Sequence, residues 1–137
     1  CIRDSSKDPQ IANDVYNAFI TGRAAIVAKN YTVMEEQSAI IKQKLSSVIG
    51  HYAIHYLSGA ITNIGTSTGA DRLNAFHGLS EGYGFILSLQ FTNDGSDSPY
   101  FTKDEVDTYL AQIDDFYTVE VSTLQSIHDE IKSRFGI

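Results

Sequence analysis

The stretch DRLNAFHGLSEGYGFILSLQF, residues 71–91, indicates the fold class most directly. Its second half is almost entirely apolar, so a helix formed there must be covered on more than one side. Three glycines in seven positions, Gly78, Gly82 and Gly84, interrupt it. Each costs roughly 1 kcal/mol compared with alanine in a helix interior, and close approach of a neighbouring helix or ligand is the usual compensation. We therefore expect this stretch to be the central helix of a helical bundle.

Composition and charge restrict the classes of partner. The chain has 137 residues and a formal net charge of -7, and its ten Lys and Arg residues are scattered. No basic stripe is available to neutralise phosphates, so nucleic acid is excluded as a partner. The apolar runs are far shorter than the roughly 20 residues that cross a bilayer. We expect residues 1–137 to form one helical-bundle domain with a frayed tail at residues 1–7.

Cys1 is the only cysteine, so neither a disulfide within the chain nor a cysteine-based metal site is expected. A chain that opens with Cys rather than Met is expected to have been cut from a longer protein. Three interpretations stay open: a proteolytic fragment, a remnant of cloning, or a mature lipoprotein whose first residue is the acylated cysteine.

Helix-boundary signals predict the first three helices. Asp8-Pro9 supplies an N-cap and a proline at the first helical position, and this helix is expected to end near Lys29-Asn30. Thr32 to Glu35 matches a capping box and predicts the start of the second and longest helix, which runs to about Ile61. A loop rich in Gly, Ser and Thr at residues 63–70 leads into the central helix.

Two further helices complete the prediction. Thr102 to Glu105 matches a second capping box and starts a short helix over Lys103–Ile113. A last helix over Val119–Arg134 is expected to end with Gly136 as its C-cap. The sequence therefore predicts an all-α fold, an antiparallel bundle of four longer helices plus one short helix. Its predicted core contains Leu45, Val48, Tyr52, Phe76, Tyr83, Leu87, Leu124 and Ile131.

Two pairs of polar residues form the candidate site. His51 and His55 are four residues apart on the second helix, and His77 and Glu81 have the same spacing on the central helix. Residues at this spacing lie on one helix face, so two facing helices can supply four ligands to a divalent metal. Under the other interpretation, each histidine is an ordinary core or half-buried residue, and Glu81 pairs with a neighbour to fix the helix register. Both interpretations stay open.

No catalytic residue and no further cofactor follow from the sequence, because no Ser, Cys or Lys nucleophile has a context that would activate it.

Several segments resemble an uncharacterised family of cell-envelope lipoproteins from Gram-negative bacteria. They are GRAAIVAKNY, HYAIHYLSGA, AFHGLSEGYGFILSLQF and the closing SRFGI, and the most specific is HGLSEGYGF at His77 to Phe85. Members of the family are longer proteins with a portion before this region. The resemblance implies that the chain is the C-terminal part of such a protein, located in the cell envelope, periplasmic or outer-membrane, with membrane contact only through a lipid anchor on the full-length protein.

That family is distantly similar to the imelysin group, all-helical envelope proteins connected with iron uptake and once called peptidases. The imelysin signature is Gly-x-His-x-x-Glu, whereas here Glu81 follows His77 by four positions and Ala75 stands in place of the glycine. The resemblance implies a non-enzymatic protein that binds a ligand or an envelope partner, with a link to iron or nutrient uptake. The alternative is a metal-dependent hydrolase that uses the His and Glu residues.

Overall fold

The computed structural model describes residues 10–65, 72–96 and 98–137, which are helical with short connections. Within these ranges the α-helices are α1 (Ile11–Val27), α2 (Tyr31–Gly65), α3 (Arg72–Ser88), α4 (Lys103–Gln112) and α5 (Val121–Phe135), and Leu89–Phe91 adds a 3-10 turn after α3. The one extended pairing within the described ranges is an isolated bridge between Asn93 and Pro99. The predicted all-α class is confirmed.

The start of α2 differs from the prediction. The side chain of Asn30 accepts a hydrogen bond from the N–H of Val33 at 3.3 Å, and the helix begins at Tyr31. The capping box predicted at Thr32 is therefore wrong, because Asn30 takes the N-cap role two residues earlier. Lys29 precedes it with a φ of 55°, a left-handed conformation that reverses the chain between α1 and α2. The first predicted cap, Asp8-Pro9, and the predicted tail lie outside the described residues.

The boundaries of α4 and α5 follow local chemistry closely. The Thr102 side chain accepts from the N–H of Glu105, and a Glu105 carboxylate oxygen accepts from the N–H of Thr102 at 2.8 Å. This confirms the second capping box. Gly136 caps α5 with a φ of 67°, as predicted. As predicted, α2 is the longest helix described, with 35 residues. It runs to Gly65 rather than Ile61, so the first residues of the predicted loop at 63–70 are helical. Residues 66–70 lie outside the described ranges.

The central helix of the fold is α2 rather than α3. Helix α2 packs against α1, α3 and α5, whereas the extensive contacts of α3 are with α2 and α4. The first half of α2 pairs with α1 and its second half pairs with α3 and α5. Residues 71–91 were predicted to form the central helix because they contain the longest apolar run. Helix α2 is central instead, because its length allows it to contact more neighbours.

Helices α2 and α3 run antiparallel at very short range. A side chain at Gly78 would lie 3.2 Å from the Tyr56 carbonyl oxygen and 3.3 Å from the Ala60 nitrogen. Further along α3, the ring of Phe85 stacks on Tyr52, which is earlier in α2 than Tyr56 and Ala60. The expectation that a glycine marks close helix approach is confirmed at Gly78, where the neighbour is backbone.

The core is built differently from the prediction. Leu124 and Ile131 are fully buried as predicted, but Leu45 and Leu87 are 43% and 42% exposed, so these two assignments are wrong. The other four predicted core residues are partly buried. The inward stripe of α2 consists mainly of small residues: Ser46, Gly50, Ala53, Leu57 and Ala60. A search for large apolar residues at helical spacing therefore selected a neighbouring side of the helix.

Candidate functional site

The four predicted metal ligands lie on adjacent helices, but mostly at the surface. His55, His77 and Glu81 are exposed and His51 is half-buried. Among the residues the structure describes, which include all four, no group of three or more His, Cys, Asp or Glu side chains is arranged to hold a metal ion. The four-residue metal site therefore stays a prediction. His77 and Glu81 are both exposed, so they do not form the buried pair of the other interpretation.

Aromatic rings occupy the space between the two predicted pairs. The ring of Phe85 on α3 stacks on Tyr52 and Tyr56 of α2, with centroid separations of 5.4 and 5.5 Å. The rings of His55 and His77 approach Tyr56 edge-on, with centroids 5.2 and 6.2 Å away. Aromatic pairs in such geometries contribute about 0.5–1.5 kcal/mol beyond the area they bury. This aromatic cluster packs α2 against α3 and consists of the rings of Tyr52, His55, Tyr56, His77 and Phe85. Two of its members, His55 and His77, are predicted metal ligands.

A shallow groove follows α3 beside the aromatic cluster. It has a volume of about 360 Å³ and is lined by Ser80, Glu81, Gly84, Phe85 and Ser88. A side chain at Gly84 would meet nothing within 4 Å. The lining is small and polar, with the Phe85 ring as its one large apolar contribution.

Among the described helices, α1 carries the most large apolar side chains that are exposed. Helix α1 buries Ile11, Ala18, Gly22 and Ala25. Tyr16, Phe19, Ile20, Ile26 and Val27 recur at helical spacing on other sides of the same helix and are between 52% and 80% exposed. A helix that is apolar on more than one side is normally covered on more than one side. Within the described part of the chain, α1 has extensive contacts with α2 alone.

Helices α1 and α2 enclose an apolar groove. Its volume is about 400 Å³, within the range of ligand sites, and its apolar lining includes Phe19, Ile26, Met34 and Ile41. A second groove of about 390 Å³ continues along α2, lined by Lys42, Leu45, Ser46, Ile49, Phe91 and Asn93. Lys42 lines both grooves. We call these two grooves together the hairpin trough; no residue of α1 lines the second groove.

The charges that line the hairpin trough are of one sign. Arg23 and Lys42 are its charged lining residues, and neither groove has a carboxylate in its lining. Asp14 and Lys44, which join α1 to α2 by a salt bridge of 2.7 Å, do not line the trough. Two cationic side chains and no carboxylate therefore line the trough, on a chain whose net charge is -7.

A separate ion-pair network joins α4 to α5. The Arg134 guanidinium donates to Glu105 at 2.6 Å and to the Tyr100 carbonyl at 3.0 Å, and it lies 4.5 Å from the centre of the Phe101 ring. The hydrogen bond from Arg134, followed by those from Thr102, lowers the pKa of Glu105 to about 2. All three guanidinium nitrogens of Arg134 donate hydrogen bonds, the third to Glu130, so this network is structural.

Comparison with known families places the whole described fold in one family. The family described as a domain of unknown function (DUF4856) matches residues 2–137. The chain belongs to this family. No curated protein and no solved structure matches it. The family description names no activity, so the function of this DUF4856 domain must be argued from its own residues.

Sequence reasoning missed the hairpin trough, although a signal was present. Tyr16, Ile20 and Val27 of α1 do not fit the stripe of its buried residues, which are Ile11, Ala18, Gly22 and Ala25. Their spacing of four and seven residues defines a second stripe. A first helix with two apolar stripes indicates a second packing partner. No helix in the described part of this DUF4856 domain is both long and apolar enough to span a membrane.

Proposed function

We propose that this DUF4856 domain is a non-enzymatic binding protein of the bacterial cell envelope, which holds an apolar segment of a partner in the hairpin trough. One observation carries the proposal: α1 and the first half of α2 leave a set of large apolar side chains exposed beside a groove of about 400 Å³. The envelope location, the lipid anchor on the full-length protein and the link to iron or nutrient uptake rest on the family resemblance.

The amount of exposed apolar surface supports binding. A large side chain presents about 150–250 Å² when fully exposed. Six on this hairpin, namely the five of α1 and Tyr31, are more than half exposed and together present on the order of 700 Å². The largest apolar patch of a typical monomer is about 300–600 Å² and is itself often functional. These side chains lie on more than one side of the hairpin, and their summed area approaches that of one side of a standard protein interface, about 800 Å².

A hydrolase is the less supported function. A metal-dependent hydrolase needs three protein ligands around an open metal position and a general base beside it. His51, His55, His77 and Glu81 supply the right chemistry, but they are not gathered around one point. The aromatic cluster places the Tyr56 ring against both His55 and His77.

The antiparallel bundle of four longer helices and one short helix belongs to the same proposal. Two of its helix pairs are supported by contacts. Asp14 meets Lys44 while Gly22 lies against Gln37, so α1 and α2 run in opposite directions. The contacts of Gly78 with Ala60 and of Phe85 with Tyr52 give the same result for α2 and α3. A bound partner segment would then cover the open side of the α1–α2 hairpin.

Site-specific photo-crosslinking in cells tests this function. A photoreactive amino acid at Phe19, inside the trough, should give a discrete crosslinked product in the envelope fraction. The same amino acid at Thr108, an exposed position on α4, is the matched control and should not. Ile26→Glu should abolish the product while the unfolding temperature stays unchanged, because Ile26 is 54% exposed. Equal labelling at Phe19 and Thr108, or a domain confined to the cytoplasmic fraction, would refute the proposal.

A further inference from the structure

We infer that a second copy of this chain packs antiparallel against the outward side of α1 and forms a two-fold dimer. The inference goes beyond the proposed function, because it concerns apolar side chains that the hairpin trough does not use. Tyr16, Ile20 and Val27 line neither groove of the trough. Together with Arg23, they form what we call the outward stripe.

The outward stripe lies directly opposite the packed side of α1. Each of its three apolar residues is two positions from a buried residue, in the pairs Tyr16 and Ala18, Ile20 and Gly22, and Val27 and Ala25. Two residues of an α-helix turn by roughly 200°, so the stripe points away from α2. Tyr16 is 65% exposed, Ile20 52% and Val27 80%. These side chains are therefore open to a partner from outside the described part of the chain.

The spacing of the outward stripe makes it complementary to itself. Its residues follow one another at intervals of four, three and four, which is the seam spacing of helices that pack at a small crossing angle. Because this series reads the same in both directions, an antiparallel second copy brings Tyr16 opposite Val27 and Ile20 opposite Arg23. The same patch then serves on both copies, as a two-fold interface requires.

The one charge on the outward stripe determines the orientation of the second copy. In a parallel dimer, Arg23 would lie against Arg23 of the second copy, and like charges at a helix seam are disfavoured. In the antiparallel arrangement, the apolar stem of Arg23 packs on Ile20 of the second copy, and the guanidinium extends to solvent at the edge of the seam. Arg23 therefore favours the antiparallel dimer.

The area of this side of α1 fits a reversible dimer. Ala12 and Ala24 flank the stripe and are exposed, as is Arg23. With them, the stripe offers on the order of 600 Å² per copy. A pair of copies then buries roughly 1,200 Å², the lower end of the range for specific protein interfaces. We therefore expect monomer and dimer to coexist at micromolar concentrations.

Sedimentation velocity of the purified chain, from micromolar to submillimolar concentration, tests the dimer. The mean mass should rise from that of the monomer towards that of the dimer. Ile20→Glu should raise the dissociation constant at least tenfold with an unchanged circular dichroism spectrum, because the side chain is half exposed. Leu73→Glu, the same kind of change at a side chain of α3 that is 59% exposed, is the matched control and should leave the constant unchanged.

Disulfide trapping tests the orientation. In a Cys1→Ser background, a mixture of Tyr16→Cys and Val27→Cys chains should form the mixed disulfide, because these positions face each other only in the antiparallel arrangement. Disulfides between identical chains without the mixed product would show a parallel pairing and overturn the inference.

Three further outcomes would overturn it. The first is a chain that stays monomeric at every concentration, and the second is equal weakening by Ile20→Glu and Leu73→Glu. The third is a monomer that co-sediments with anionic lipid vesicles unless it carries Ile20→Glu, which would identify a lipid surface as the occupant of the stripe. The crosslinked product at Phe19 reports on the trough, so the proposed function stands or falls independently of these results.

Discussion

The three glycines of α3 provide a graded test of how closely α2 and α3 approach. A Cβ at Gly84 would meet nothing within 4 Å, and one at Gly82 would meet Leu57 and Tyr56 side-chain atoms at 3.7 Å. A Cβ at Gly78 would meet the Tyr56 carbonyl oxygen at 3.2 Å and the Ala60 nitrogen at 3.3 Å. The three substitutions to alanine share one helix and one chemical change, so they differ only in their surroundings.

The expected stability changes follow from two opposing effects. Alanine is favoured over glycine in a helix interior by roughly 1 kcal/mol, and all three variants gain this amount. Gly84→Ala incurs no steric cost and should be stabilised by about 1 kcal/mol. Gly82→Ala makes ordinary contacts and should gain about as much. At Gly78 the obstructing atoms are backbone, so the helices must separate, and overpacking of this kind costs about 1–3 kcal/mol. Gly78→Ala should therefore be neutral or destabilised by up to about 2 kcal/mol.

Urea unfolding followed by far-UV circular dichroism measures these differences. With a slope of about 1–3 kcal/mol per molar urea, Gly84→Ala should raise the midpoint by about 0.3–1 M, and Gly78→Ala should leave it unchanged or lower it. The slope itself should be the same in all variants, because the surface exposed on unfolding does not change. If Gly78→Ala is stabilised as much as Gly84→Ala, the close approach of α2 and α3 is refuted.

The other predictions concern an acid, a C-cap and the predicted metal ligands. Because the pKa of Glu105 is lowered to about 2, its stabilisation is complete above the usual pKa of 4.5 and is lost as the pH falls towards about 2. Glu105→Gln should lower the free energy of unfolding by about 1 kcal/mol at pH 7, a value that allows for solvent screening of the ion pair. The variant should also lose this pH dependence of stability, measured by urea titrations from pH 7 to 2. Gly136→Ala should lower the free energy of unfolding by about 1 kcal/mol, since residue 136 has a φ of 67°, and an unchanged urea midpoint would contradict this. His77→Leu and Glu81→Leu, alone or together, should each change stability by less than about 0.5 kcal/mol by thermal unfolding, because both side chains are exposed. A large loss in either single variant would show that the pair has a structural role.

Sequence signals predicted those parts of the fold that local chemistry determines. The capping box at Thr102 and the glycine cap at Gly136 are each complete within a few residues, and both are confirmed. The start of α2 shows the limit of such signals. Asn30 and Thr32 are both good N-cap residues, and the left-handed turn at Lys29 gives the role to Asn30. That choice depends on how α1 ends, which no capping motif encodes.

The candidate site was less predictable because it depends on which residues face each other. His51 and His55 lie on α2, and His77 and Glu81 lie on the neighbouring helix α3. Helical spacing gives the side of each helix that a residue occupies, but it does not give the rotation of one helix against the other. In the structure, the line of contact between α2 and α3 passes through Gly78 and Ala60, which turns His55 and His77 towards solvent.

The size of the apolar residues explains both the wrong assignment of Leu45 to the core and the presence of the hairpin trough. Helix packing by small residues brings backbones together, so the inward stripe of α2 is Ser46, Gly50, Ala53 and Ala60 with one leucine. Large residues such as Leu45 and Tyr31 are then left on the outward sides of the same helix. In α1 the division is similar, with Ala18, Gly22 and Ala25 turned inward and the aromatic residues outward. Where close helix contacts use the small side chains, large apolar side chains at helical spacing lie outside the core of the domain, and the proposed partner segment would cover them.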